Sequence, residues 1–383
     1  MARSTIDKRE NGRYRARYVG PDRKWHSNTE DRRVDAQDWL SQELNSVGDG
    51  NWIPPKMRRR EVGSMAERWW ATTVNLKPKT REGYESLLRV YVLPEFGSWR
   101  IGDVNRAKVR EWLARLQAQG LSASRTRQAR SVLSSVLELA IESGAISANP
   151  ARGVKVSGTT SREMLHLDAR QVSRLATEAE HQSAGAGVLV LVLAYGGIRW
   201  GEVAALRRGR CDLLRSRLLI RESVSEVGGV LHYGPTKTHQ ARTIVLPGFL
   251  RDRLAAHIAS LSDPSSDALV FSDRIGGVLR NSNWRIRVWK PACESAGMPD
   301  GLRIHDLRHT AASLLVSAGA NVKAVQRHLG HSSASMTLDR YSHLFTEDLE
   351  ALADRLDVVF FRTKRVPSAS CGLETVVDLA AAR

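Results

Sequence analysis

The chain has 383 residues, which suits two or three domains, and its 42% hydrophobic content is enough to bury real cores, so general disorder is set aside. Lysine and arginine number 58 against 41 acidic residues, a net charge of +17 that points to a polyanionic partner. The cysteines Cys211, Cys293 and Cys371 fit neither a zinc pattern nor a disulfide framework, and the longest apolar run, Ala186 to Ile198, is too short to span a bilayer, which excludes membrane functions.

Taken in chain order, Arg13 to Tyr18 alternates strictly, so a strand there puts Arg13, Arg15 and Arg17 on one face and Tyr14, Ala16 and Tyr18 on the other. Gly20-Pro21-Asp22 turns the chain, Lys24 to Thr29 returns as a second strand, and a helix follows from Asp35. An arginine-faced ribbon suits a nucleic-acid groove; a solvated strand face is the plainer alternative. Arg3, Lys8 and Arg9 are followed by no apolar core, so no secretory leader is expected. Residues 45–63 read as a linker ending in the basic run Lys56 to Arg60.

Residues 64–146 read as four helices: one capped by Ser64, one from Thr80 to Val92, one capped by Asp103 and one opened by Ser122 and closed at Gly144. Their apolar stripes are core. The polar side is basic, with Arg106, Lys108, Arg125, Arg127 and Arg130 as the candidate nucleic-acid contacts. A Gly-, Ser- and Thr-rich stretch to Met164 links this region to the next.

Residues 165–358 mix helices with strands. Asp168 caps a helix, and Gly187 to Arg207 reads as a buried helix running through Arg199. Arg217 to Val224 and Val230 to Leu246 read as strands, with Lys237 at a bend in the second. A helix from Phe249, a short strand from Ala268 to Ser272 and a helix over Trp284 to Ala296 follow. Then come three short helices, with Gly330 ending the second and Ser332 or Ser333 capping the third.

Those last helices hold an unusual density of chemistry: H-x-L-R-H at His305 to His309, L-G-H ending at His331, and R-Y-x-H containing Tyr341. Singly, each is an ordinary core or surface residue. Upstream stand G-x-R-x-x-E, Gly197 to Glu202, and GPTKTHQARTIVLP, which offers Lys237. The ordered set resembles the signature of the tyrosine recombinases, the phage integrase family, with no departure at a catalytic position. Ile198 stands where Leu or Met is commoner.

The resemblance implies a multidomain, mainly α protein. Residues 1–60 would be an arm-type DNA-binding domain of β-sheet plus helix with its linker, and 64–146 a helical, SAM-like core-binding domain. Residues 165–358 would be a mixed α/β, α+β catalytic domain, and the tail 359–383 would pack on a neighbouring subunit. It implies double-stranded DNA attachment sites as substrate, a homotetramer on DNA, a DNA-bending host factor and an excisionase as further partners, no cofactor or metal, and the bacterial host cytoplasm as location.

The chemistry is consistent with those residue types. Tyr341 can form a covalent phosphate ester, and the guanidinium forks of Arg199 and Arg308 match non-bridging phosphoryl oxygens. By resemblance, Lys237 protonates the departing 5′ oxygen, His305 manages the tyrosine proton, His331 hydrogen-bonds the phosphate, and Glu202 orients Arg199 or the histidine, with His309 in support. No G-x-x-x-x-G-K-[ST] or H-E-x-x-H motif is present. The rivals are a metal-dependent transposase or nuclease, which needs clustered carboxylates, a non-catalytic DNA-binding relative and a strand-swivelling topoisomerase. Within the recombinases, the arginine-faced sheet favours integration and excision of a phage or mobile element over resolution of chromosome or plasmid dimers.

Overall fold

In the computed structural model, residues 3–158, 164–236, 241–342, 356–358 and 360 are described below. They group into two units, Met1–Glu163 with Ser225–His232 and Met164–Val224 with Tyr233–Arg383. Among the described residues no helix is long and apolar enough to cross a membrane.

The first unit opens with a three-stranded antiparallel sheet, β1 (Ser4–Lys8), β2 (Tyr14–Val19) and β3 (Trp25–Glu30), followed by α1 (Arg33–Gly48). Strand β1 was not foreseen, because STIDK is short and polar. The alternation in β2 sorts its faces as expected: Ala16 and Tyr18 are fully buried against α1, while Arg15 and Arg17 flank Asp7 on the other face at 3.6 and 3.4 Å. Tyr18 needs polar partners once buried and has them. Its hydroxyl donates to Glu43 at 2.6 Å and accepts from the Trp52 indole at 2.6 Å, while Glu43 also pairs with Arg58 at 2.9 Å. Trp52 and the short helix α2 (Pro55–Arg58) therefore give structure to the stretch read as a linker.

Four helical segments build the rest of this unit. Helix α3 (Val62–Thr72) starts before Ser64, whose hydroxyl instead bonds the Glu61 carbonyl, so Ser64 is not the cap. Helix α4 (Pro78–Leu87) passes through a π turn, Leu88–Val92, into α5 (Leu93–Phe96). The Leu93 N–H reaches back to the Leu88 carbonyl just before Pro94, which has no N–H to offer. For α6 (Arg106–Ala118) the cap is Asn105, accepting from the Lys108 N–H, rather than Asp103. Helix α7 (Ala123–Glu142) is capped by Ser122 as expected. Met65, Val92, Phe96, Trp112, Leu133 and Leu137 are at the centre of their shared core.

In the second unit α8 (Ala169–Gln182) opens with a capping box from Asp168 and Gln171. Helix α9 (Ala186–Gly196) is apolar on every side, so its energetically suitable place is the middle of a core; it packs among α8, α11 (Gly248–Ala259) and α14 (Asp306–Ser317). It does not continue to Arg207. Gly197 takes the left-handed conformation at φ +59° and ends it, and a separate short helix, α10 (Trp200–Ala204), follows. The apolar period carried the sequence reading across a Gly-Gly pair that in fact stops the helix.

Strands β4 (Cys211–Asp212), β5 (Arg217–Ile220) and β8 (Arg242–Val245) form an antiparallel sheet, and β6 (Glu222–Val227) with β7 (Val230–Pro235) a hairpin. Each of the two long strands read from sequence is thus divided between two sheets. Lys237 lies outside the described residues, as do His343 and all of the tail 359–383 except Phe360. Residues 268–272 make only isolated bridges, Arg207 with Leu269 and Ser272 with Val278, rather than a strand. Helices α12 (Asn281–Trp284) and α13 (Lys290–Ser295) are joined by a second π turn, Arg285–Trp289, again placed just before a proline, Pro291. Helices α15 (Val322–Leu329) and α16 (Ala334–Tyr341) complete the unit, with Ser333 the cap of α16.

Candidate active site

Three chain turns meet in the second unit. The first is the end of α9, where left-handed Gly197 points the chain so that Arg199 becomes the residue before α10. A Cβ on Gly197 would lie 2.5 Å from Leu329 Cδ2, so only glycine lets the end of α15 approach. The second is the start of α14, carrying His305, Arg308 and His309. The third is the turn after α15, where Gly330 at φ +68° leads to His331.

Arg308 ties the three together. It is 3% exposed, and it donates from NH1 to the Gly197 carbonyl at 2.5 Å and from NH2 to the Leu329 carbonyl at 2.6 Å. Those charge-assisted bonds span 111 and 21 residues of sequence. Burial, with the charges of Arg199 and Arg242 beside it, pushes its guanidinium down to about 9, so it remains a cation at neutral pH. Nearby, Glu202 is almost wholly buried and accepts from four donors: the Arg199 backbone N–H at 3.0 Å, Arg199 NH1 at 3.0 Å, and Arg242 NH1 and NH2 at 3.0 and 2.6 Å. Burial alone would raise its carboxyl; Arg242 and then Arg199 outweigh that and hold it ionised.

Tyr341 ends α16 and is 1% exposed. Its hydroxyl lies 2.8 Å from His309 Nδ1, and its ring stacks against His331 at 6.2 Å between centroids and 10° between planes. The sequence reading placed the tyrosine proton with His305; here His305 stands edge-on behind His309, their rings 5.5 Å apart. Burial holds His309 and His331 down to about 4, so both are neutral near pH 7, and a neutral His309 can accept the phenol proton. Burial likewise raises the Tyr341 phenol, with Arg308 and Arg340 pulling the other way. His331 Nδ1 is 2.9 Å from the buried Thr337 hydroxyl, leaving Nε2 without a partner among the described residues.

Thus Arg199, Glu202, Arg308, His331, His309, Tyr341 and His305 are brought together, whereas Lys237 lies outside the described residues. Sequence reasoning missed Arg242 and Thr337. Arg242 stood within the GPTKTHQARTIVLP stretch, but its pattern marks a strand and not a partner for Glu202. The basic set is divided. Arg127 and Lys108 are exposed, but Arg106 donates to the Arg152 and Gly153 carbonyls and Arg130 to the Val154 carbonyl, pinning the chain after α7. Arg125 bonds Ser86 at 3.2 Å, and Arg13 pairs with Asp31 at 2.7 Å.

The neutral histidines have a measurable consequence. His309 and His331 protonate at about 4 when folded but near the ordinary 6.5 when unfolded, so the unfolded chain binds protons first as pH falls. The stability they confer is complete above about 6.5 and is lost progressively toward about 4; His305 and His328, also lowered by burial, add to the slope. Melting temperatures of the full chain from pH 7 to pH 4.5 should fall, and more shallowly in a His309→Gln/His331→Gln double variant. An unchanged slope in that variant would place the acid sensitivity elsewhere.

Comparison with known proteins follows the same boundaries of composition. A sequence profile described as the phage integrase family matches residues 166–348, one for the phage integrase N-terminal domain matches 4–48, and one for the phage integrase central domain matches 62–156. The integrase of Mycobacterium phage D29 is 29% identical over 342 residues, covering 85% of this chain and 89% of that protein. Among solved structures, the Tn1549 transposon integrase in complex with a circular intermediate DNA superposes with a TM-score of 0.68 at 22% identity, over 77% of this chain and 99% of that one. A lambda integrase dimer bound to a COC′ core site gives 0.58 at 18%, over 89% and 94%.

Proposed function

The chain belongs to the phage integrase family, and from that premise and its site geometry we propose that it is a site-specific DNA recombinase acting through a 3′-phosphotyrosyl intermediate. The observation that carries the reading is the convergence of the Arg308 fork, the Arg199–Glu202 pair and the His331–Tyr341–His309 stack at one place.

In the reaction, the Tyr341 oxygen attacks a backbone phosphorus, its proton passing to His309 Nδ1, the group already on it. The phosphoryl oxygens lie against Arg199 and Arg308, whose charge grows more effective as negative charge builds in the transition state. His331 Nε2 supplies a further hydrogen bond. The P–O5′ bond breaks, and Lys237 gives the departing oxygen its proton. Religation by the 5′ hydroxyl of a second strand reverses each step, so no bond energy is lost and no nucleotide is needed. Residues 1–60 read as an arm-site-binding domain and 64–146 as a core-site clamp, with four copies assembling on DNA. A DNA-bending host protein and an excisionase would serve direction and synapsis of a phage or mobile element.

The test is to incubate the full chain with nicked fragments of the genome that carries its gene, denature, and recover DNA bound covalently to protein. Adducts on the 3′ side of a unique sequence are expected, undiminished in excess EDTA. DNA released without protein attached, or adducts that require added magnesium, would return the site to the nuclease class.

A further inference from the structure

We infer that Arg242 is a positioning residue of this reaction: it cancels the charge of Glu202, so that Arg199 and Arg308 act undiminished on a phosphate, and it seats the Gly330–His331 turn. The inference rests on the recombinase reading. Glu202 lies between two guanidinium groups, but they share it unequally. Arg242 engages both carboxylate oxygens with its two terminal nitrogens, at 3.0 and 2.6 Å, and its side chain is 9% exposed. Arg199 gives the carboxylate one guanidinium nitrogen and is 22% exposed, with its Nε and NH2 unpartnered among the described residues. The buried fork therefore serves as the structural counter-ion, and the more open one keeps donors to spare.

The charge count favours the same division. Arg199, Arg242 and Arg308 are three positive charges and Glu202 one negative, leaving two positive charges to face an incoming phosphodiester. Without Arg242 only one would remain, and both Glu202 oxygens would turn on Arg199, drawing its fork away from the substrate. At these separations and this burial, the competition between a carboxylate and a phosphate for one guanidinium is strong.

Arg242 also touches the L-G-H turn. A Cβ on Gly330 would sit 2.7 Å from Arg242 Cδ and 3.1 Å from its Nε, and that Nε is buried with no hydrogen-bond partner among the described residues. The side chain is thus held by packing under the turn and by its two bonds to Glu202, reaching from β8 to two catalytic boxes.

The experiment uses a nicked duplex already shown to form an adduct with the wild-type chain, so failure of the recombinase reading would appear in the wild type and failure of this inference only in the variants. At saturating duplex, Arg242→Met should slow adduct formation by about 10- to 100-fold, as for other groups that orient a reacting side chain. Affinity for the duplex should hardly change, because many other basic residues share the phosphate contacts. Glu202→Gln added to Arg242→Met should restore part of the lost rate, since the uncompensated carboxylate is gone. Arg242→Lys, which keeps a cation but not the fork, should fall between wild type and Arg242→Met, and it serves if the Met variant does not fold. A double variant no faster than Arg242→Met would reduce Arg242 to a structural ion pair, as would a loss confined to DNA affinity or a wild-type rate in Arg242→Lys and Arg242→Met.

Discussion

Tyr341→Phe is expected to bind DNA as tightly as the wild type and to form no covalent adduct. The substitution removes one oxygen and leaves the ring, which is buried and stacked on His331, so the packing of α16 persists. It does strand His309 Nδ1, whose observed partner is the phenol, at a cost of about 1–3 kcal/mol in stability. DNA affinity comes mainly from lysine and arginine contacts to phosphates spread along the chain, and none of these is altered. Rate should fall to the detection limit, because no other tyrosine is placed to replace the nucleophile: Tyr18 is hydrogen-bonded to Glu43 and Trp52, and Tyr195 is packed against Phe249. A denaturing gel of nicked duplex with both proteins decides it. An adduct persisting in the variant would move the nucleophile elsewhere.

The second large effect is at Arg308. Arg308→Ala should lower adduct formation by at least about 100-fold, the loss typical of a preorganised transition-state donor. It should also destabilise the protein, since the buried Gly197 and Leu329 carbonyls lose their donors at roughly 1–3 kcal/mol each, partly offset by no longer burying a cation. Arg308→Lys separates the two roles. A lysine keeps the charge but cannot reach both carbonyls and a phosphate with one fixed fork, so the rate should stay low while the melting temperature recovers in part. If Arg308→Lys formed adduct within a few-fold of wild type, charge alone would suffice and the fork would not matter.

Much of the site was legible in one dimension because its residues fall in short boxes. G-x-R-x-x-E contains both Arg199 and the glutamate that bonds it, three residues apart on one turn. H-x-L-R-H and L-G-H likewise place their chemistry beside a helix start and a left-handed glycine, both local events. Strand alternation in β2 sorted Tyr18 inward, and Ser122 and Asp168 were readable caps, because a cap depends only on the next three residues. Ser64 and Asp103 failed for the same reason in reverse: Glu61 and Asn105 open those helices, and sequence alone does not rank neighbouring polar candidates.

What sequence alone determined about this protein is its inventory: the boxes, the apolar stripes, the basic excess and their order. Tertiary structure decided the pairings. His309 rather than His305 meets Tyr341 because α16 approaches α14 at that position, joining residues 32 apart. Arg242 meets Glu202 across 40 residues because β8 runs beside α10, and Arg106 and Arg130 are spent on carbonyls 46 and 24 residues away instead of standing free. Local periodicity reports which face of an element is apolar; it carries no information about which element will cover that face, and a buried charge takes its partner from whichever segment folding brings within about 3 Å.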